Sequence, residues 1–374
     1  MEALTVPGIA PITMPKWGML MDKGTVIAWH VQQGDAVLAG QEVVDVETTK
    51  IVGAVEVKSS GSVRRQIANV GQTLPVGALL GVVAEDGVSE QEIDAFVATF
   101  EVVAADEAAG VAPPAPQTID LGGQVVRYLR QGEGGVPILL IHGFGGDLNA
   151  WMFNQSKLAE RQSVYAIDLP GHGSSAKNVG NGSIEELART VSSFLATISA
   201  ERVHLVGHSL GGAVALSVAL NNRDRVSSLT LISSAALGAD IDGAYLAGFM
   251  AAERRKDLVP IVARLFWDPD LASRSMVDDL LRNKRISGVD AALRAIAGSS
   301  FEGNRQKIDL IDQANSLELP IQVIWGMNDA IISCDHAYSI KCAKVVLINE
   351  AGHMPMMEQA SKVNAAIGEF VSQR

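Results

Sequence analysis

The stretch VHLVGHSLGGAVALSVAL, Val203 to Leu220, places a serine at the junction of two apolar runs. The first run, VHLV, is typical of a buried strand, and the second, GGAVALSVAL, is typical of a helix. Glycines on both sides of Ser209 allow the sharp, strained turn that exposes a serine hydroxyl between a strand and a helix. The start of that helix directs positive partial charge towards an anion formed at the serine. We therefore interpret Ser209 as a candidate nucleophile.

A serine nucleophile needs a base, and the base needs a group that orients it. Asp329 follows the apolar run IQVIWG, and His353 follows KVVLINEAG, so each comes just after a predicted strand. We expect the loops after these strands to converge on Ser209. His353 would accept the serine proton, and Asp329 would fix its tautomer. Asp335 is a rival acid, but the spacing from the strand end favours Asp329.

Backbone N–H groups at the same edge are candidates for an oxyanion hole. Leu210 follows the nucleophile directly, and Phe144 lies in HGFGG after the apolar run ILLI. Both positions suit donors that point at a developing oxyanion. The other histidines are interpreted as structural or carry no signal: His142, His172 and His208 lie in motif loops, whereas His30, His204 and His336 stand outside any motif.

From about Thr118 the chain alternates apolar runs with helical patterns. Near-continuous apolar runs suit parallel strands that are covered on both faces. The strand candidates are PILLIHGF, SVYAID, VHLVGHS, SLTLISS, IQVIWG and KVVLIN. The stretch SIEELARTVSSFLATIS opens with a capping box and keeps a helical period. This pattern predicts an open α/β sheet.

Strand signals vanish between about Gly238 and Leu319, where the pattern is helical. We interpret this segment as a helical cap inserted into the sheet domain. Its large apolar side chains are expected to form the core of the cap rather than to contact ligand. They are Phe249, Met250, Phe266, Trp267 and Met276.

An internal repeat organises the first part of the chain. A shift of 37 residues superimposes glycines and apolar residues of one half on those of the next. The matched pairs include Gly24 with Gly61, Val26 with Val63, Gly34 with Gly71, Val37 with Leu74, Gly40 with Gly77 and Val43 with Leu80. Each half reads as short strands separated by glycine turns. The repeat predicts a small β-sandwich or flattened barrel over residues 1–86 that neither half could form alone.

Lys50 lies where the two halves meet, in VVDVETTKIVGAVEV, Val43 to Val57. The flanking runs are strand-like, so we expect the lysine at a hairpin tip, away from the core. A lysine at the symmetry point of a repeated β fold resembles the attachment site of a lipoyl domain, in which lipoic acid amidates the tip lysine. Biotin-carrying domains share this fold but flank their lysine with methionines. The resemblance therefore implies N6-lipoyllysine at Lys50.

A connecting segment spans residues 87–117. Ser89 and Glu92 form a predicted capping box, and apolar residues of 89–103 share one helical face whose packing partner the sequence leaves open. The stretch AADEAAGVAPPAPQ then holds three prolines and reads as an extended linker. Residues 87–117 carry six acidic side chains and no basic ones, which is half of the net charge of −12.

Composition excludes several classes of function. The negative net charge argues against nucleic acid as the main partner. Two cysteines in 374 residues make no disulfide framework, and no apolar run is long enough to span a membrane. We expect a soluble cytoplasmic protein, without a metal site, whose hydrophobic content of 48% fills two cores.

Residues 118–374 resemble the α/β-hydrolase superfamily on four motifs: HGFGGDLNAW, DLPGHGSS, GHSLGGAVAL and GHMPMMEQ. The serine–acid–histidine order of Ser209, Asp329 and His353 agrees with that resemblance. The predicted architecture is therefore a small all-β lipoyl/biotinyl-type sandwich followed by an α/β-hydrolase fold with a helical cap.

The combination resembles the dihydrolipoyllysine-residue acetyltransferase component of the bacterial acetoin dehydrogenase complex. The resemblance implies transfer of an acetyl group from the lipoyl arm on Lys50 to coenzyme A. It also implies two partner enzymes: a thiamine-diphosphate-dependent acetoin-cleaving component and dihydrolipoamide dehydrogenase. A homo-oligomer is left open. The H-x-x-x-D-G motif of ordinary 2-oxo-acid dehydrogenase acyltransferases is absent from the sequence, so their mechanism is not carried over.

Two alternatives stay open. The second domain could hydrolyse its substrate, as a thioesterase or a C–C bond hydrolase, with the lipoyl domain serving as a carrier. Alternatively, the chain could be a carrier and docking scaffold with a relict hydrolase domain, which the complete set of Ser209, Asp329 and His353 disfavours.

Overall fold

The structure is a computed structural model that describes residues 8–15, 17, 21, 23–48, 52–100, 114–198 and 200–373. The chain divides into two compact units, Met1–Pro113 and Pro114–Arg374. The domain limits expected from the sequence, 1–86, 87–117 and 118–374 with a cap at about 238–319, stay predictions.

The described part of the first unit forms short strands and one helix. They are β1 (Ile9–Thr13), β2 (Lys23–Trp29), β3 (Ala36–Val37), β4 (Glu42–Glu47), β5 (Val52–Glu56), β6 (Gly61–Gln66), β7 (Thr73–Pro75), β8 (Leu79–Ala84) and α1 (Glu90–Thr99). Two four-stranded antiparallel sheets result, in the orders β1-β8-β6-β3 and β5-β4-β2-β7.

The internal repeat is visible in these sheets. Strand β4 begins at Glu42 and β8 begins at Leu79, which is the 37-residue shift seen in the sequence. Each sheet combines strands of both halves, so neither half supplies a complete sheet. Of the apolar residues that the repeat superimposes, Val26, Val63 and Leu80 are fully buried in the shared core, and Leu74 is half-buried against it. The predicted all-β sandwich is confirmed.

The connection expected to carry the prosthetic group joins β4 and β5. Glu47 pairs with Val52 across this antiparallel pair, so four residues connect the two strands. Lys50, with Thr49 and Ile51, lies outside the described residues.

Helix α1 packs on the first unit. Ser89 and Glu92 form the predicted capping box, with bonds in both directions. Ile93 and Phe96 are buried against Ile9, Val82 and Ala84 of β1 and β8. The partner of this helical face, which the sequence left open, is therefore the sandwich of the same unit.

The second unit alternates strands and helices over most of its length. Its strands are β9 (Gln117–Asp120), β10 (Val125–Gln131), β11 (Ile138–Ile141), β12 (Val164–Ile167), β13 (Val203–His208), β14 (Val226–Ile232), β15 (Phe301–Glu302), β16 (Arg305–Gln306), β17 (Ile321–Gly326) and β18 (Lys344–Ile348). Its helices are α2 (Gln155–Leu158), α3 (Ile184–Thr197), α4 (Leu210–Asn221), α5 (Gly243–Ala251), α6 (Arg255–Val262), α7 (Arg274–Lys284), α8 (Val289–Ser300), α9 (Ile311–Ser316), α10 (Pro355–Glu358) and α11 (Ala360–Ser372).

One eight-stranded sheet supports the second unit, in the order β18-β17-β14-β13-β11-β12-β10-β9. The six strands predicted from apolar runs all form and run parallel to one another. Strands β9 and β10 are antiparallel additions at one edge that the sequence analysis missed. Their polar alternation lacks the apolar run that marks a strand buried on both faces. The α/β-hydrolase architecture is confirmed.

Residues 233–320, between β14 and β17, are called the cap insertion here. They are mainly helical, as predicted, but a two-stranded hairpin of β15 and β16 interrupts the helices. Phe249 and Phe266 are buried, whereas the side chain of Trp267 is 53% exposed. The expectation that Trp267 belongs to the core is therefore wrong. Within the described parts of the chain, every helix is too short or too polar to cross a membrane.

Candidate active site

Ser209 sits on a strained turn between β13 and α4. Its backbone angles are φ 51° and ψ −119°, in the left-handed half of φ space that non-glycine residues rarely adopt. The turn requires close backbone approach, because a Cβ at Gly207 would lie 2.3 Å from the Gly211 carbonyl oxygen. A Cβ at Gly211 would lie 2.3 Å from the carbonyl oxygen of Ile141. The glycines around Ser209 are thus needed for the turn itself.

The three residues predicted to converge form one hydrogen-bonded chain. Ser209 Oγ lies 3.0 Å from His353 Nε2, and His353 Nδ1 lies 2.8 Å from Asp329 Oδ2. The side chains of His353 and Asp329 are 3% and 0% exposed. Water is thus kept away from the ion pair that forms when the imidazole takes a proton. This geometry suits a serine, a base and an orienting acid.

Asp329 is fixed by the loop that follows β17. Its Oδ1 accepts from the backbone N–H groups of Ile331 and Ile332 at 2.8 and 3.0 Å, and Trp325 Nε1 donates to Oδ2 at 3.0 Å. These bonds orient the Asp329 carboxylate independently of its hydrogen bond to His353. Asp335, the rival acid, lies in the short helical turn Cys334–Tyr338, where its backbone N–H donates to Ser333 Oγ.

The predicted oxyanion loop lies against the nucleophile. A Cβ at Gly143 would lie 3.1 Å from Ser209 Cβ, so the HGFGG loop passes directly over the serine. The N–H groups of Phe144 and Leu210 donate to no other atom of the described residues. Two free backbone donors beside Ser209 suit stabilisation of an oxyanion.

The oxyanion loop is supported from below by buried polar groups. His142 Nε2 accepts from the N–H of Leu169 at 2.9 Å, and its Nδ1 donates to the Gly143 carbonyl at 2.8 Å. Asp168 accepts from the N–H of Leu148 at 2.8 Å. These bonds join HGFGGDLNAW to DLPGHGSS, which explains the structural role expected of His142.

An aromatic cluster joins the oxyanion loop to the cap insertion. The ring of Phe144 packs edge-on against Phe249 at 5.9 Å and against Phe301 and His172 at 6.3 Å each. Gly145 leaves no room for a side chain, because a Cβ there would lie 2.5 Å from Phe249 Cζ. The position of the Phe144 N–H therefore depends on cap residues.

Buried histidines around the site are held neutral. Burial lowers the pKa of His172 to about 3, with a contribution from His142. Burial and the adjacent His353 imidazole lower the pKa of His208 well below its ordinary value. His208 is not passive, because its Nε2 donates to the backbone carbonyl of His353 at 2.8 Å. Sequence analysis missed this contact, since only tertiary packing brings the two residues together.

Glu358 is a second group that sequence reasoning missed. Its carboxylate accepts from the N–H of Gly352 at 2.8 Å and from the N–H of Trp267 at 2.6 Å. Burial raises the pKa of Glu358 to about 7, against the opposing effect of these donors and of Met354. The residue lies within the motif GHMPMMEQ, five positions after His353. Its place in that motif was the one feature of the sequence that could have indicated a role near the base.

Family models match both units. Residues 10–83 match a family described as "Biotin-requiring enzyme", and residues 136–360 match the "alpha/beta hydrolase fold". Among solved structures, a meta-cleavage product hydrolase from Pseudomonas fluorescens IP01 is similar, with a TM-score of 0.63 and 21% identity. That likeness covers 69% of this chain and 97% of the other, and it establishes the fold alone.

Two curated relatives are similar over nearly the whole chain. A protein of Pseudomonas putida is 48% identical over 97% of this chain and 98% of its own length. A protein of Cupriavidus necator is 42% identical over 96% of this chain and 97% of its own length. Both are dihydrolipoyllysine-residue acetyltransferase components of an acetoin cleaving system. The chain therefore belongs to the family of dihydrolipoyllysine-residue acetyltransferase components of acetoin cleaving systems.

Proposed function

We propose that the chain transfers an acetyl group from a lipoyl arm on Lys50 to coenzyme A through an acetyl ester of Ser209. The observation that carries the proposal is the hydrogen-bonded chain Ser209–His353–Asp329 in a protein whose other unit is a lipoyl-type sandwich. A single hydrolase unit would need no carrier domain, and a carrier alone would need no serine nucleophile with a base and an orienting acid.

The first unit fits an attached lipoyl group. A primary amine is what amide formation requires, and Lys50 lies in the four-residue connection between paired strands β4 and β5. When attached, lipoic acid supplies a dithiol that holds the acetyl group as a thioester. Tethering raises the effective concentration of that thioester at the second unit.

In the first half-reaction, Ser209 Oγ attacks the thioester carbonyl and transfers its proton to His353 Nε2. The N–H groups of Phe144 and Leu210 stabilise the tetrahedral oxyanion. The C–S bond then breaks, and His353 returns the proton to the departing thiolate. Asp329 stabilises the imidazolium between the two transfers. The product on the protein is acetyl-Ser209.

In the second half-reaction, His353 accepts the proton of the coenzyme A thiol. The sulfur attacks the acetyl carbonyl, the C–Oγ bond breaks, and His353 reprotonates Ser209. Water is the competing acceptor, so the cap insertion must exclude it while admitting a thiol. This requirement separates a transferase from a hydrolase that uses the same three residues.

The chemistry also defines the partners. Transfer leaves a dithiol that must be reoxidised, and we infer dihydrolipoamide dehydrogenase for that step. Acetylation of an oxidised arm by acetoin needs an acyl-anion equivalent, which we infer comes from a thiamine-diphosphate-dependent component. The free cysteines Cys334 and Cys342 agree with a reducing, cytoplasmic setting.

The test uses the full, lipoylated chain carrying an acetylated arm, incubated with and without coenzyme A. We expect acetyl-coenzyme A with the acceptor and little free acetate without it. Ser209→Ala should abolish transfer, and Lys50→Arg should give a chain that cannot be loaded. Rapid release of acetate that ignores coenzyme A would instead identify a hydrolase. Full transfer by Ser209→Ala would exclude the acetyl-serine intermediate.

A further inference from the structure

The loop that carries His353 is bonded to the cap insertion at two points. The N–H of His353 donates to the Leu265 carbonyl at 2.8 Å. Glu358 accepts from Gly352 through Oε1 and from Trp267 through Oε2. One carboxylate thus joins the residue before His353 to a cap residue 91 positions away from Glu358 in the chain.

Backbone packing brings the same two segments into close contact. A Cβ at Gly352 would lie 2.8 Å from the Leu265 carbonyl oxygen and 2.9 Å from the Trp267 nitrogen. Such distances leave no room for a side chain at Gly352 between the segments. The bonds to Leu265 and Glu358 are therefore part of one tight junction.

The junction needs both oxygens of a carboxylate. Each oxygen faces an N–H donor from a different segment, and the carboxylate accepts at both when it is ionised, so the tests below are run at pH 8, above the Glu358 pKa of about 7. An amide of the same size presents one oxygen and one N–H₂ group, so one backbone donor would face another donor. No ion pair between Glu358 and a basic side chain is recorded among the described residues, so its bonds are to the backbone.

We propose that Glu358 is a positioning residue for His353. Its hydrogen bonds connect the loop that carries His353 to the cap segment Leu265–Trp267 and so keep the imidazole beside Ser209. The inference rests on the proposed function only in that both concern the base of the same site. Its consequence is that the base is fully in place only when the cap segment is seated. A small displacement of a base costs a large factor in rate.

The first test follows the burst of p-nitrophenol that accompanies Ser209 acylation by p-nitrophenyl acetate in the full chain, so kcat and KM here denote the saturating rate constant and the half-saturation concentration of acylation alone. Glu358→Gln should lower kcat by about tenfold to a hundredfold and leave KM within about threefold. A residue that merely shapes the pocket would change KM. Unchanged kcat, or a loss confined to KM, would overturn the proposal.

The second test removes the donor rather than the acceptor. Trp267→Pro lacks the N–H that Glu358 binds, whereas Trp267→Ala keeps this N–H and loses only the indole. Phe266 is extended, with φ −114° and ψ 149°, which is the conformation that precedes a proline most easily. We expect kcat about tenfold lower for Trp267→Pro than for Trp267→Ala. Equal rates for the two variants contradict the proposal.

Combining the substitutions separates positioning from general loss of stability. If Glu358 acts through Trp267, Glu358→Gln adds little to the loss already caused by Trp267→Pro. Full additivity of the two effects would mean that the residues act independently, against the proposal. Hydrogen exchange in β13 verifies that each variant is folded.

The ester assay keeps this inference distinct from the proposed function. Acylation by p-nitrophenyl acetate needs neither the lipoyl arm nor coenzyme A, but it needs Ser209 and its base. A chain that reacts with the ester yet forms no acetyl-coenzyme A would refute the transferase and leave the role of Glu358 intact. The converse, normal transfer by Glu358→Gln, would refute the role of Glu358 alone.

Discussion

His208 Nε2 donates a 2.8 Å hydrogen bond to the backbone carbonyl of His353. His208 directly precedes the nucleophile Ser209 in the sequence, but its side chain lies beside the base. The two rings lie 4.9 Å apart. Since a Cβ at Gly143 would lie 2.8 Å from His208 Nδ1, the same imidazole also contacts the oxyanion loop. His208 thus touches the three parts that must be aligned for catalysis.

Loss of the His208 donor should slow the reaction. His208→Met leaves the buried His353 carbonyl without its partner, which costs about 1 to 3 kcal/mol. We expect kcat for p-nitrophenyl acetate to fall about tenfold. His208→Gln is the matched control, because its amide nitrogen can occupy the place of Nε2 and should restore most of the rate. If Met and Gln variants are equally slow, the hydrogen bond does not position the base.

The oxyanion loop gives a second prediction. Gly145 has φ +73°, and a Cβ there would meet the ring of Phe249 at 2.5 Å. Gly145→Ala should therefore displace the Phe144 N–H and lower kcat by about tenfold to a hundredfold. Gly134→Ala is the control, since Gly134 has φ +71° but nothing within 4 Å of the added Cβ. It should cost stability of about 1 kcal/mol and no activity. Equal activity of the two variants would show that the loop tolerates displacement.

The sequence correctly predicts the positions of those candidate site residues that lie just after a strand of the parallel sheet. Ser209, Asp329 and His353 each follow an apolar run, and parallel strands bring such ends to one edge of a sheet. Their convergence could therefore be predicted without knowing any distance. The contacts of Glu358 could not, because they depend on how closely the cap insertion packs on the histidine loop.

The sequence pattern also did not predict which aromatic side chains of the cap insertion are exposed to solvent. Phe266 and Trp267 are adjacent and both apolar, but one is buried and the other is 53% exposed. Helical periodicity does not apply here, because a 3₁₀ turn, Ala263–Leu265, ends just before them. The sequence predicts an apolar helical face but not its partner, and only the structure places Ile93 and Phe96 of that face on the sandwich.

Helix α1 should contribute to the stability of the first unit. Phe96 is buried against β1 and β8, so Phe96→Ala should lower the free energy of unfolding of this unit by about 3 kcal/mol. Phe100→Ala removes the same side chain from a half-buried position and should cost less. Hydrogen exchange of β8 measures the effect, with β13 as an internal reference. Unchanged protection of β8 in Phe96→Ala would mean that the unit is stable without the helix.

Buried neutral histidines predict how the second unit responds to acid. The pKa values of His172 and His204 fall to about 3 and about 4 from an ordinary value of 6.5, with burial as the main cause, and those of His142 and His208 are also lowered by burial. Below about pH 6.5 the unfolded chain binds these protons and the folded chain does not, so stability is lost as the pH falls. Each such proton contributes about 1.4 kcal/mol per pH unit.

Glu358 acts in the opposite direction, because its pKa is raised to about 7 from 4.5 and the folded chain takes up that proton first. With His336, whose pKa burial also lowers, five histidines outweigh one carboxyl, so the second unit should lose stability on acidification from about pH 6.5. Urea unfolding followed by far-ultraviolet circular dichroism, which reports mainly on its helices, measures the slope. His172→Asn retains a donor for the Pro170 carbonyl and removes the titrating ring, so it should flatten the slope by about 1.4 kcal/mol per pH unit. His30→Asn, in the first unit, is the control and should leave the slope of the second unit unchanged. A slope that His172→Asn does not alter would mean that this imidazole takes up its proton without unfolding.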